Sequence, residues 1–519
     1  MTDLERIGQR LVTGFPGTAL TPELVQVVKE YKIGNIILFR ENITSADQLR
    51  TLCADLQTLI RSETGHDAFI MIDLEGGAVT RLPESCINVP GSMALAATGD
   101  PETTYLAGKL TGEELRSLGV NFNLAPRVDV NCNPANPIIG VRSYGDTPAT
   151  VAKYAAGMIR GLQDGGVLCL AKHFPGHGDT SLDSHLTLPC VDKPRDELER
   201  MELAPFRAAI ADGVPAIMTA HILFPALDDS SVPATMSRRI VTGLLRGEMS
   251  FTGLVTSDCM EMQAVQKFFG SVNGVLAAMN AGVDLVLLSH TTLLSGEAAK
   301  AAAEALQSGK LDRKEMEESV DRILAAKAKL AAVPAAAFDA ERAAALNDKL
   351  LRATITEVHV PKAGRPNVGG HPLCLGCQVY RTGLVGNVVD DVQQSFPVMM
   401  AKALGGDGFT TPIDPSKDEI YEWVRRAESY TSIVIGTYNG HLHPQQLEMV
   451  KALAQNSGKP VTVVALRNPY DLFPLPESVY TLAAYEYTAR STAAVADVLL
   501  GRHAATGRLP IATPEQEAQ

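Results

Sequence analysis

The chain has 519 residues, which is too long for one ordinary core and predicts two large domains. Hydrophobic residues make up 45% and charged residues 20% of the chain, a balance that argues against long disordered regions. The net charge of −13 argues against nucleic acid and membrane surfaces as partners, because both are anionic, and favours a small neutral substrate.

The N-terminal segment has no uninterrupted apolar stretch of signal-peptide length, and no run of about eighteen apolar residues occurs elsewhere. The eight cysteines are scattered, and several lie in apolar runs where a reduced thiol behaves as a small hydrophobic group. We therefore expect a soluble, cytoplasmic protein without a disulfide framework. The sequence leaves open whether it is a monomer or a homodimer.

Short apolar runs alternate with helix-length segments through the first two-thirds of the chain. There are eight such runs, at 10–14, 35–39, 69–73, 121–125, 168–172, 216–220, 254–258 and 284–288. Their nearly continuous hydrophobicity is typical of parallel strands that are buried on both faces. Eight strands that alternate with helices predict an α/β fold, a (β/α)8 TIM-type barrel over residues 1–333.

Polar side chains occupy the carboxyl ends of many of these runs. They are Asp73, Arg127, Lys172, His173, His221 and Asp258. In barrels of this type the loops after the strands converge on one mouth, which holds the active site. We therefore predict a functional site there, with the alternative that strands simply reach solvent at these residues.

In chain order, the first of these motifs is IDLEGGAVTRL, residues 72–82. Asp73 ends a strand, Gly76 and Gly77 allow a tight turn, and the carboxylate can accept hydrogen bonds from sugar hydroxyls. An acid before a Gly-Gly turn is common, so this motif alone is weak support for a site. The same holds for Arg142 in GVRSYGD.

The segment AKHFPGHGDTSLDSH, residues 171–185, concentrates the largest number of chemically active side chains. It contains Lys172, His173, His177, Asp179, Asp183 and His185. Asp183 lies two residues before His185, so its carboxylate can hydrogen-bond the imidazole and stabilise the protonated ring of a general acid/base. Two alternatives are a metal site formed by the histidines and aspartates, and a loop that polar bonds merely make rigid.

The segment VTSDCMEM, residues 255–262, brings Asp258 to the end of a short strand. A carboxylate at this place can act as a nucleophile or can stabilise an oxocarbenium-like centre. A helix cap is an equally open alternative, because Glu261 follows three residues later and completes part of a capping box.

A composition shift rich in proline and glycine follows a segment that we assign as a linker, residues 334–356. Strand candidates at 374–380, 433–437, 461–466 and 480–484 and a helix at 445–455 predict a second domain. We expect residues 357–519 to form a smaller α/β sandwich domain with a mainly parallel sheet.

Two groups of residues in this second domain have chemically active side chains. Cys374 and Cys377 lack a second pair of metal ligands, and we interpret them as buried thiols. Four residues look exposed and could reach a ligand, but a structural role is favoured for them. They are Tyr438, Asn439, His441 and His443.

Together these segments resemble glycoside hydrolase family 3, in its β-N-acetylglucosaminidase branch. The matching pieces of the first domain are ILFREN (37–42), IDLEGG (72–77), NFNLAPRVDV (121–130), NPIIGVRSYG (136–145), KHFPGHGDTSLDSH (172–185), TAHILFPALD (219–228), PATMS (233–237) and TSDCMEM (256–262). The pieces that resemble the second domain of the family are VIGTYNG (434–440), ALRNPYDL (465–472) and GRLPI (507–511). This chain departs from the motif D-Q-E-G-G-R of the family at Leu74 and Ala78.

The resemblance implies a retaining exo-β-N-acetylglucosaminidase that needs no metal or other cofactor and acts on muropeptide fragments during peptidoglycan turnover. It assigns Asp258 as the nucleophile and His185 as the acid/base, supported by Asp183. The residues that it implies for substrate binding are Asp73, Arg142, Lys172, His173 and His177.

Several alternatives stay open at this point. The chain could be another retaining β-glycosidase, or a glycoside phosphorylase of the same family, since His185 is neutral after the first step and would not repel phosphate. Alternatives of a different class are a metal-dependent hydrolase built on the histidine loop and a non-catalytic sugar-binding protein.

Overall fold

A computed structural model of the chain describes residues 1–180, 188–334, 337–378 and 392–514. The first domain contains nine strand segments: β1 Leu11–Thr13, β2 Asn35–Leu38, β3 Phe69–Ile72, β4 Phe122–Asn123, β5 Leu168–Cys169, β6 Ala171–Phe174, β7 Ala216–Thr219, β8 Leu254–Cys259 and β9 Leu285–Leu288. All of them pair in parallel, in the order β5-β4-β3-β2-β1-β9-β8-β7-β6. Only Leu170 separates β5 from β6, so these two segments form one interrupted strand and the sheet closes into an eight-stranded barrel.

Each of the eight predicted apolar runs overlaps a strand of the barrel, and the run 168–172 overlaps both β5 and β6. The barrel is therefore confirmed. Alternate residues of a strand point to opposite faces of the sheet. Ile36 and Leu38 accordingly join the large core cluster that includes the surrounding helices, whereas Ile37 and Met71 belong to a separate smaller cluster. Both faces of the sheet are thus apolar, which is why these runs lack the polar alternation of a half-exposed strand.

The helices of the first domain surround the barrel. They are α1 Asp3–Arg10, α2 Pro22–Tyr31, α3 Ala46–Thr64, α4 Ser92–Ala97, α5 Glu102–Ser117, α6 Pro148–Asp164, α7 Arg195–Arg200, α8 Ala204–Ala211, α9 Gln263–Gln266, α10 Ser271–Ala281, α11 Thr292–Gln307 and α12 Arg313–Ala331, with a π-helix at Arg239–Glu248 and 3-10 helices at Arg40–Asn42, Gly140–Arg142 and Ala234–Met236. The sequence defines their ends locally: α3 starts where the Ser45 side chain accepts the Gln48 N–H and stops at the left-handed Gly65. None of the helices that the structure describes combines the length and apolar character needed to cross a bilayer.

The second domain is a smaller α/β unit with a mainly parallel sheet, as predicted. Its elements are α13 Ala340–Thr354, β10 Thr356–His359, β11 Leu373–Cys377, α14 Phe396–Leu404, β12 Asp407–Thr411, α15 Lys417–Ala427, β13 Ile433–Thr437, α16 Pro444–Asn456, β14 Val461–Ala465, β15 Tyr480–Ala483 and α17 Ala489–Leu499, with 3-10 helices at Val392–Gln394 and Pro469–Leu472. The sheet order is β10-β15-β14-β13-β11-β12, and only β10 is antiparallel to its neighbour.

Two strands of this sheet, β10 and β12, and the helices α13, α14, α15 and α17 lay outside the elements predicted from the sequence. The edge strands β10 and β12 are partly exposed and lack the apolar runs that mark buried strands. The segment 334–356, assigned as a linker, contains α13, which packs against α4 and α5 of the first domain. The exact domain boundaries stay a prediction.

The Cys374–Cys377 pair lies within β11, and both side chains are buried. Both side chains belong to one hydrophobic core cluster, together with Phe396, Val434 and Leu466. Burial raises the pKa of both thiols to about 12. Both therefore stay protonated and behave as small apolar side chains, in agreement with the interpretation from sequence.

The two domains share a hydrophobic core cluster. Met93, Ala94 and Ala97 of α4 pack in one cluster with Leu373 and Ile435 of the second sheet. The N–H of Arg508 also donates to the carbonyl of Ala97 across the same boundary, at 2.7 Å. An interface of this apolar character indicates a fixed domain arrangement rather than two units on a free hinge.

Two buried carboxyl groups lie at or near this interface, Glu114 on α5 and Glu486 after β15. Glu114 accepts the N–H of Ile87 at 2.9 Å, and Glu486 accepts the N–H of Gly91 at 3.1 Å. Burial raises the pKa of each carboxyl from 4.5 to about 7, and this shift outweighs the opposing hydrogen bonds and the positive charge of Arg490. At these two carboxyl groups the folded protein therefore binds more protons than the unfolded chain between pH 4.5 and pH 7.

We expect the thermal midpoint to fall as the pH rises from about 5 to about 7.5. The midpoint falls because each carboxyl group is protonated more readily in the folded protein than in the unfolded chain, so that its deprotonation at higher pH opposes folding. Each pKa shift changes the free energy of unfolding by roughly 3 kcal/mol at most. Thermal unfolding at several pH values should show this slope, and the double variant Glu114→Gln, Glu486→Gln should flatten it. Glu102→Gln, an exposed change on α5, is the control. Equal slopes for wild type and double variant would contradict the assignment.

Candidate active site

The carboxyl end of β8 brings Asp258 to the mouth of the barrel. Its Oδ1 accepts the N–H of Cys259 at 2.7 Å, which fixes the carboxylate beside its own backbone. Its Oδ2 lies 3.9 Å from Nε2 of His173. The Asp258 side chain is 24% exposed, in contrast to the buried residues around it, so a ligand in the mouth can reach it.

The helix-cap alternative for Asp258 is wrong. Asp258 lies within β8, and the next helix, α9, begins only at Gln263 with Met262 before it. Glu261 does not complete a capping box there, because its carboxylate accepts the N–H groups of His290 at 2.7 Å and Thr291 at 3.2 Å. Glu261 thus connects the loop after β8 to the loop after β9.

His221, at the end of β7, supports the strand that carries Asp258. Its Nε2 lies 2.9 Å from the carbonyl oxygen of Cys259, the residue after Asp258, and the side chain is buried. A carbonyl oxygen can only accept a hydrogen bond, so this contact places a proton on Nε2. His221 is therefore a positioning residue for β8 in this structure.

Asp129 orients the imidazole of His173. One carboxylate oxygen of Asp129 accepts the backbone N–H groups of His173 at 3.1 Å and of His177 at 2.7 Å. The other oxygen lies 2.9 Å from Nδ1 of His173. Burial raises the pKa of the Asp129 carboxyl, and the two backbone donors oppose that shift. The bonds hold the ring of His173 so that its Nε2 points toward Asp258.

His177 lies behind His173, with its ring edge against the other ring at a centroid distance of 5.6 Å. Its Nδ1 is 2.8 Å from the hydroxyl of Thr180, and the side chain is buried. Asn136 donates to the carbonyl oxygens of His177 and Gly178, both at 2.9 Å. These contacts make His177 part of the support of the loop, and its predicted contact with substrate stays a prediction.

A second cluster of charges borders the mouth. The Nζ of Lys172 lies 2.7 Å from Oδ1 of Asp73 and 2.7 Å from Oε1 of Glu75. Arg142 makes a bidentate contact with Glu75, through Nε at 2.9 Å and Nη2 at 2.8 Å. Asp73, with a side chain 19% exposed, is the least buried of these four groups. The cluster therefore presents Asp73 to the mouth, and the buried Lys172 ammonium is bonded to it.

The charges of Glu75 and Lys172 are fixed at neutral pH. Burial by itself would raise the pKa of Glu75, but the positive charges of Arg142 and Lys172 lower it to about 2. Burial lowers the pKa of Lys172, but Asp73 and Glu75 outweigh it, so that pKa lies above its usual value. Hydrogen-bond donors and acceptors of unchanging charge are suited to bind the hydroxyl groups of a neutral ligand.

The site residues predicted from the sequence included neither Glu75 nor Asp129. Glu75 lies in the motif IDLEGG, and Asp129 lies in the motif RVDV. The only sequence signal for either was its place near a strand end. Arg127, which the sequence did place at a strand end, is fully buried. It lies 3.4 Å from Glu75 and 3.6 Å from Asp129, so it links the two clusters instead of facing the mouth.

Asp183 and His185, predicted as the acid/base pair, lie outside the described residues. The described residues on either side of this segment come close together, because Nζ of Lys193 lies 2.9 Å from Oδ2 of Asp179. The roles of Asp183 and His185 stay predictions.

One group of three potential metal ligands occurs within the described ranges, formed by Cys132, Asp179 and Glu202. Lys193 already forms ion pairs with both carboxylates, with Nζ 2.9 Å from Asp179 and 2.8 Å from Glu202. Burial also raises the pKa of the Cys132 thiol to about 12, which opposes the thiolate that a metal requires. These residues fit an ammonium group better than a metal ion.

The second-domain residues that the sequence suggested as exposed are structural. Tyr438 and Asn439 are buried, so that expectation was wrong for both. His441 contacts Asp471 through Nδ1 at 2.9 Å and the carbonyl oxygen of Pro134 through Nε2 at 3.1 Å. The latter contact joins the second domain to a loop of the barrel.

Residues 3–326 match the glycosyl hydrolase family 3 N terminal domain, and residues 418–519 match the glycosyl hydrolase family 3 C-terminal domain. Beta-hexosaminidase A from Pseudoalteromonas piscicida is 33% identical over 561 residues, covering 95% of this chain and 91% of that protein. A beta-hexosaminidase from Alkalilimnicola ehrlichii is 36% identical over 286 residues, covering 54% of this chain and 80% of that protein.

Among solved structures, a glycoside hydrolase family 3 β-N-acetylglucosaminidase from Paenibacillus sp. str. FPU-7 is similar along the whole chain. It has a TM-score of 0.91 and 36% sequence identity, with 99% of both chains covered. The similarity therefore includes the barrel, the second domain and their relative arrangement.

Proposed function

Because this chain belongs to glycoside hydrolase family 3, we propose that it is a retaining exo-β-N-acetylglucosaminidase with Asp258 as its nucleophile. The observation that carries the proposal is the partly exposed Asp258 carboxylate at the barrel mouth, 3.9 Å from Nε2 of His173. The similarity to the Paenibacillus β-N-acetylglucosaminidase supports the choice of sugar.

In the first step, Asp258 attacks the anomeric carbon of the terminal sugar, and the bond from that carbon to the aglycone oxygen breaks. His185, protonated at the start, gives its proton to the leaving oxygen. The products of this step are the free aglycone, a covalent glycosyl-aspartate and a neutral imidazole. The partial exposure of Asp258 supports this role, because the attacking oxygen must reach a ligand.

In the second step, water attacks the anomeric carbon and gives its proton to His185, and the bond from the carbon to Asp258 breaks. Two inversions at the same carbon retain the β configuration. The described part of the loop supports this arrangement, since Asp129 fixes the residues His173 and His177 that precede the catalytic pair.

The sugar hydroxyl groups bind to Asp73, Lys172, His173 and Arg142 in this proposal. Asp73 and Lys172 are suited to a hydroxyl-rich ligand because one accepts and the other donates, 2.7 Å apart. Arg142 contributes mainly through Glu75, whose carboxylate it holds by two bonds. We further propose cytoplasmic muropeptide fragments as the substrate class.

The nucleophile can be tested by trapping with a 5-fluoro N-acetylglucosaminyl donor. The fluorine slows the second step more than the first, so the covalent intermediate accumulates. We expect the intact mass to rise by one glycosyl group, and peptide mapping to place the label on Asp258. A label on any other residue, or turnover without a trapped species, would contradict the mechanism.

Substrate choice can be tested with paired p-nitrophenyl β-glycosides that do or do not carry the 2-acetamido group. We expect kcat/KM to favour N-acetylglucosaminide by at least about tenfold. Product analysis in phosphate buffer should show free N-acetylglucosamine. Predominant formation of the sugar 1-phosphate would instead support the glycoside phosphorylase alternative, and loss of activity with a chelator would support a metal-dependent hydrolase.

A further inference from the structure

The loop that carries Arg142 lies against the second domain along most of its length. We define the Arg142 loop as residues 131–146. Three polar contacts join it to the second domain: Asn131 Nδ2 to Tyr470 Oη at 2.8 Å, His441 Nε2 to the Pro134 oxygen at 3.1 Å, and the Ala512 N–H to Asp146 Oδ2 at 2.6 Å. Both ends and the first turn of this loop are therefore held from outside the barrel.

The closest approach occurs two residues before Arg142. A Cβ placed on Gly140 would lie 2.4 Å from Oδ1 of Asn468, so the backbone of the loop is pressed directly against this side chain. Gly140 also has a φ of +45°, which other residues adopt only at a cost. Asn468 is itself held by the side chain of Asn439, at 2.9 Å.

The partner of Arg142, Glu75, is held from the second domain at the turn that follows it. Glu486 is buried, and its Oε2 accepts the N–H of Gly91 at 3.1 Å. A Cβ on Gly77 would lie only 2.7 Å from the same oxygen. Its other oxygen accepts the hydroxyl of Thr488 at 3.0 Å, so the carboxyl group of Glu486 fills the space beside the Gly76–Gly77 turn.

The turn has room to move when this contact is lost. A small cavity lies at the junction of the domains, and it is lined by Glu75, Ala78, Arg142, Tyr485 and Glu486 together with residues of the turn and of α4. The bidentate contact between Arg142 and Glu75 depends on the direction of both side chains as well as on their distance. A shift of either backbone into the cavity would misalign it and would move Lys172, which shares Oε1 of Glu75.

We propose that the second domain positions the sugar-binding cluster, with Glu486 holding the turn after Glu75 and with Tyr470 and Asn468 holding the Arg142 loop. This inference rests on the proposed glycosidase function, because it concerns the same sugar site. Glu486 and Tyr470 are positioning residues that do not touch the sugar themselves.

The test compares one substitution at each of two interface residues with a matched control variant for each. Tyr470→Phe removes the hydroxyl that accepts from Asn131, and Tyr480→Phe is its matched control, because that hydroxyl donates only to Glu357 of the same domain, at 2.7 Å. Glu486→Leu removes the carboxyl group beside the turn, and Glu486→Gln restores an acceptor of the same shape.

The readouts are KM, kcat, the inhibition constant of N-acetylglucosamine and the thermal midpoint. We expect Glu486→Leu to raise KM and the inhibition constant in parallel by about tenfold, and Tyr470→Phe by about threefold, with smaller changes in kcat. Glu486→Gln should lie near wild type, and Tyr480→Phe should lower only the thermal midpoint.

Sugar binding equal to wild type in both Tyr470→Phe and a folded Glu486→Leu would overturn the inference. An equal rise of KM in Tyr470→Phe and Tyr480→Phe would overturn it too, because general loosening of the second domain would then explain the effect. If Glu486→Leu does not fold, the comparison of KM between Tyr470→Phe and Tyr480→Phe decides whether the inference holds. A wild-type protein that neither cleaves N-acetylglucosaminides nor binds N-acetylglucosamine would instead refute the proposed function.

Discussion

Replacement of Asp258 by alanine is expected to lower the turnover of N-acetylglucosaminides by at least about a thousandfold. The variant lacks the proposed nucleophile, whereas the cluster around Lys172 and Glu75, which we propose to bind the sugar, is unchanged. We therefore expect kcat to fall far more than affinity for N-acetylglucosamine. Steady-state kinetics and calorimetric binding of the sugar measure these two quantities separately.

Azide distinguishes the loss of a nucleophile from a general loss of structure. A small anion can enter the space left in Asp258→Ala and attack the anomeric carbon, so activity should recover and the product should be the α-glycosyl azide. Asp212→Asn is the matched control, since Asp212 is exposed and follows α8, at the amino-terminal side of the barrel. Recovery without the α-azide product would argue against Asp258 as nucleophile.

Replacement of Glu75 by glutamine is expected to have the largest effect on stability. The Glu75 carboxylate is buried and receives Arg142, Lys172 and Arg127 at distances of 2.8, 2.7 and 3.4 Å. Glutamine keeps the shape but removes the carboxylate partner of Arg142 and leaves Lys172 paired with Asp73. Loss of one partner of a buried ion pair typically costs about 3–5 kcal/mol. Urea unfolding should show this loss, and KM should rise by about tenfold because Lys172 and Arg142 lose their common anchor.

The pH dependence of this effect has a defined sign. The folded protein holds the pKa of Glu75 at about 2, below its value of 4.5 in an unfolded chain. The stabilisation by this carboxylate is therefore fully present above pH 4.5 and is lost as the pH falls toward 2. The difference in free energy of unfolding between wild type and Glu75→Gln should be constant from pH 8 to about pH 5 and should shrink below pH 5.

The control for this prediction is Glu84→Gln, an exposed change in a nearby loop. It should change the free energy of unfolding by less than about 0.5 kcal/mol. A Glu75→Gln variant as stable as this control would contradict the role of the cluster.

The sequence alone determined the barrel and the region of its site. Buried parallel strands must be apolar on both faces, and this requirement marked all eight strand positions directly in the sequence. Because the carboxyl ends of parallel strands meet at one mouth, Asp73, Lys172, His173 and Asp258 could be assigned to a common site before their contacts were known. Their motifs also identified the family.

The pairing of the charges and the side chains that fill the junction between the domains became visible only in the three-dimensional fold. Arg142 and Glu75 are 67 residues apart, and Glu486 and Gly91 are 395 residues apart. The sequence shows that these groups exist, but the energy of a pair depends on distance and on exclusion of water. Both are set by the path of the loops and by the packing of one domain on the other. For the same reason Glu75, Asp129 and Glu486 were recognised only from their buried contacts, whereas strands with a continuous apolar pattern were recognised from sequence.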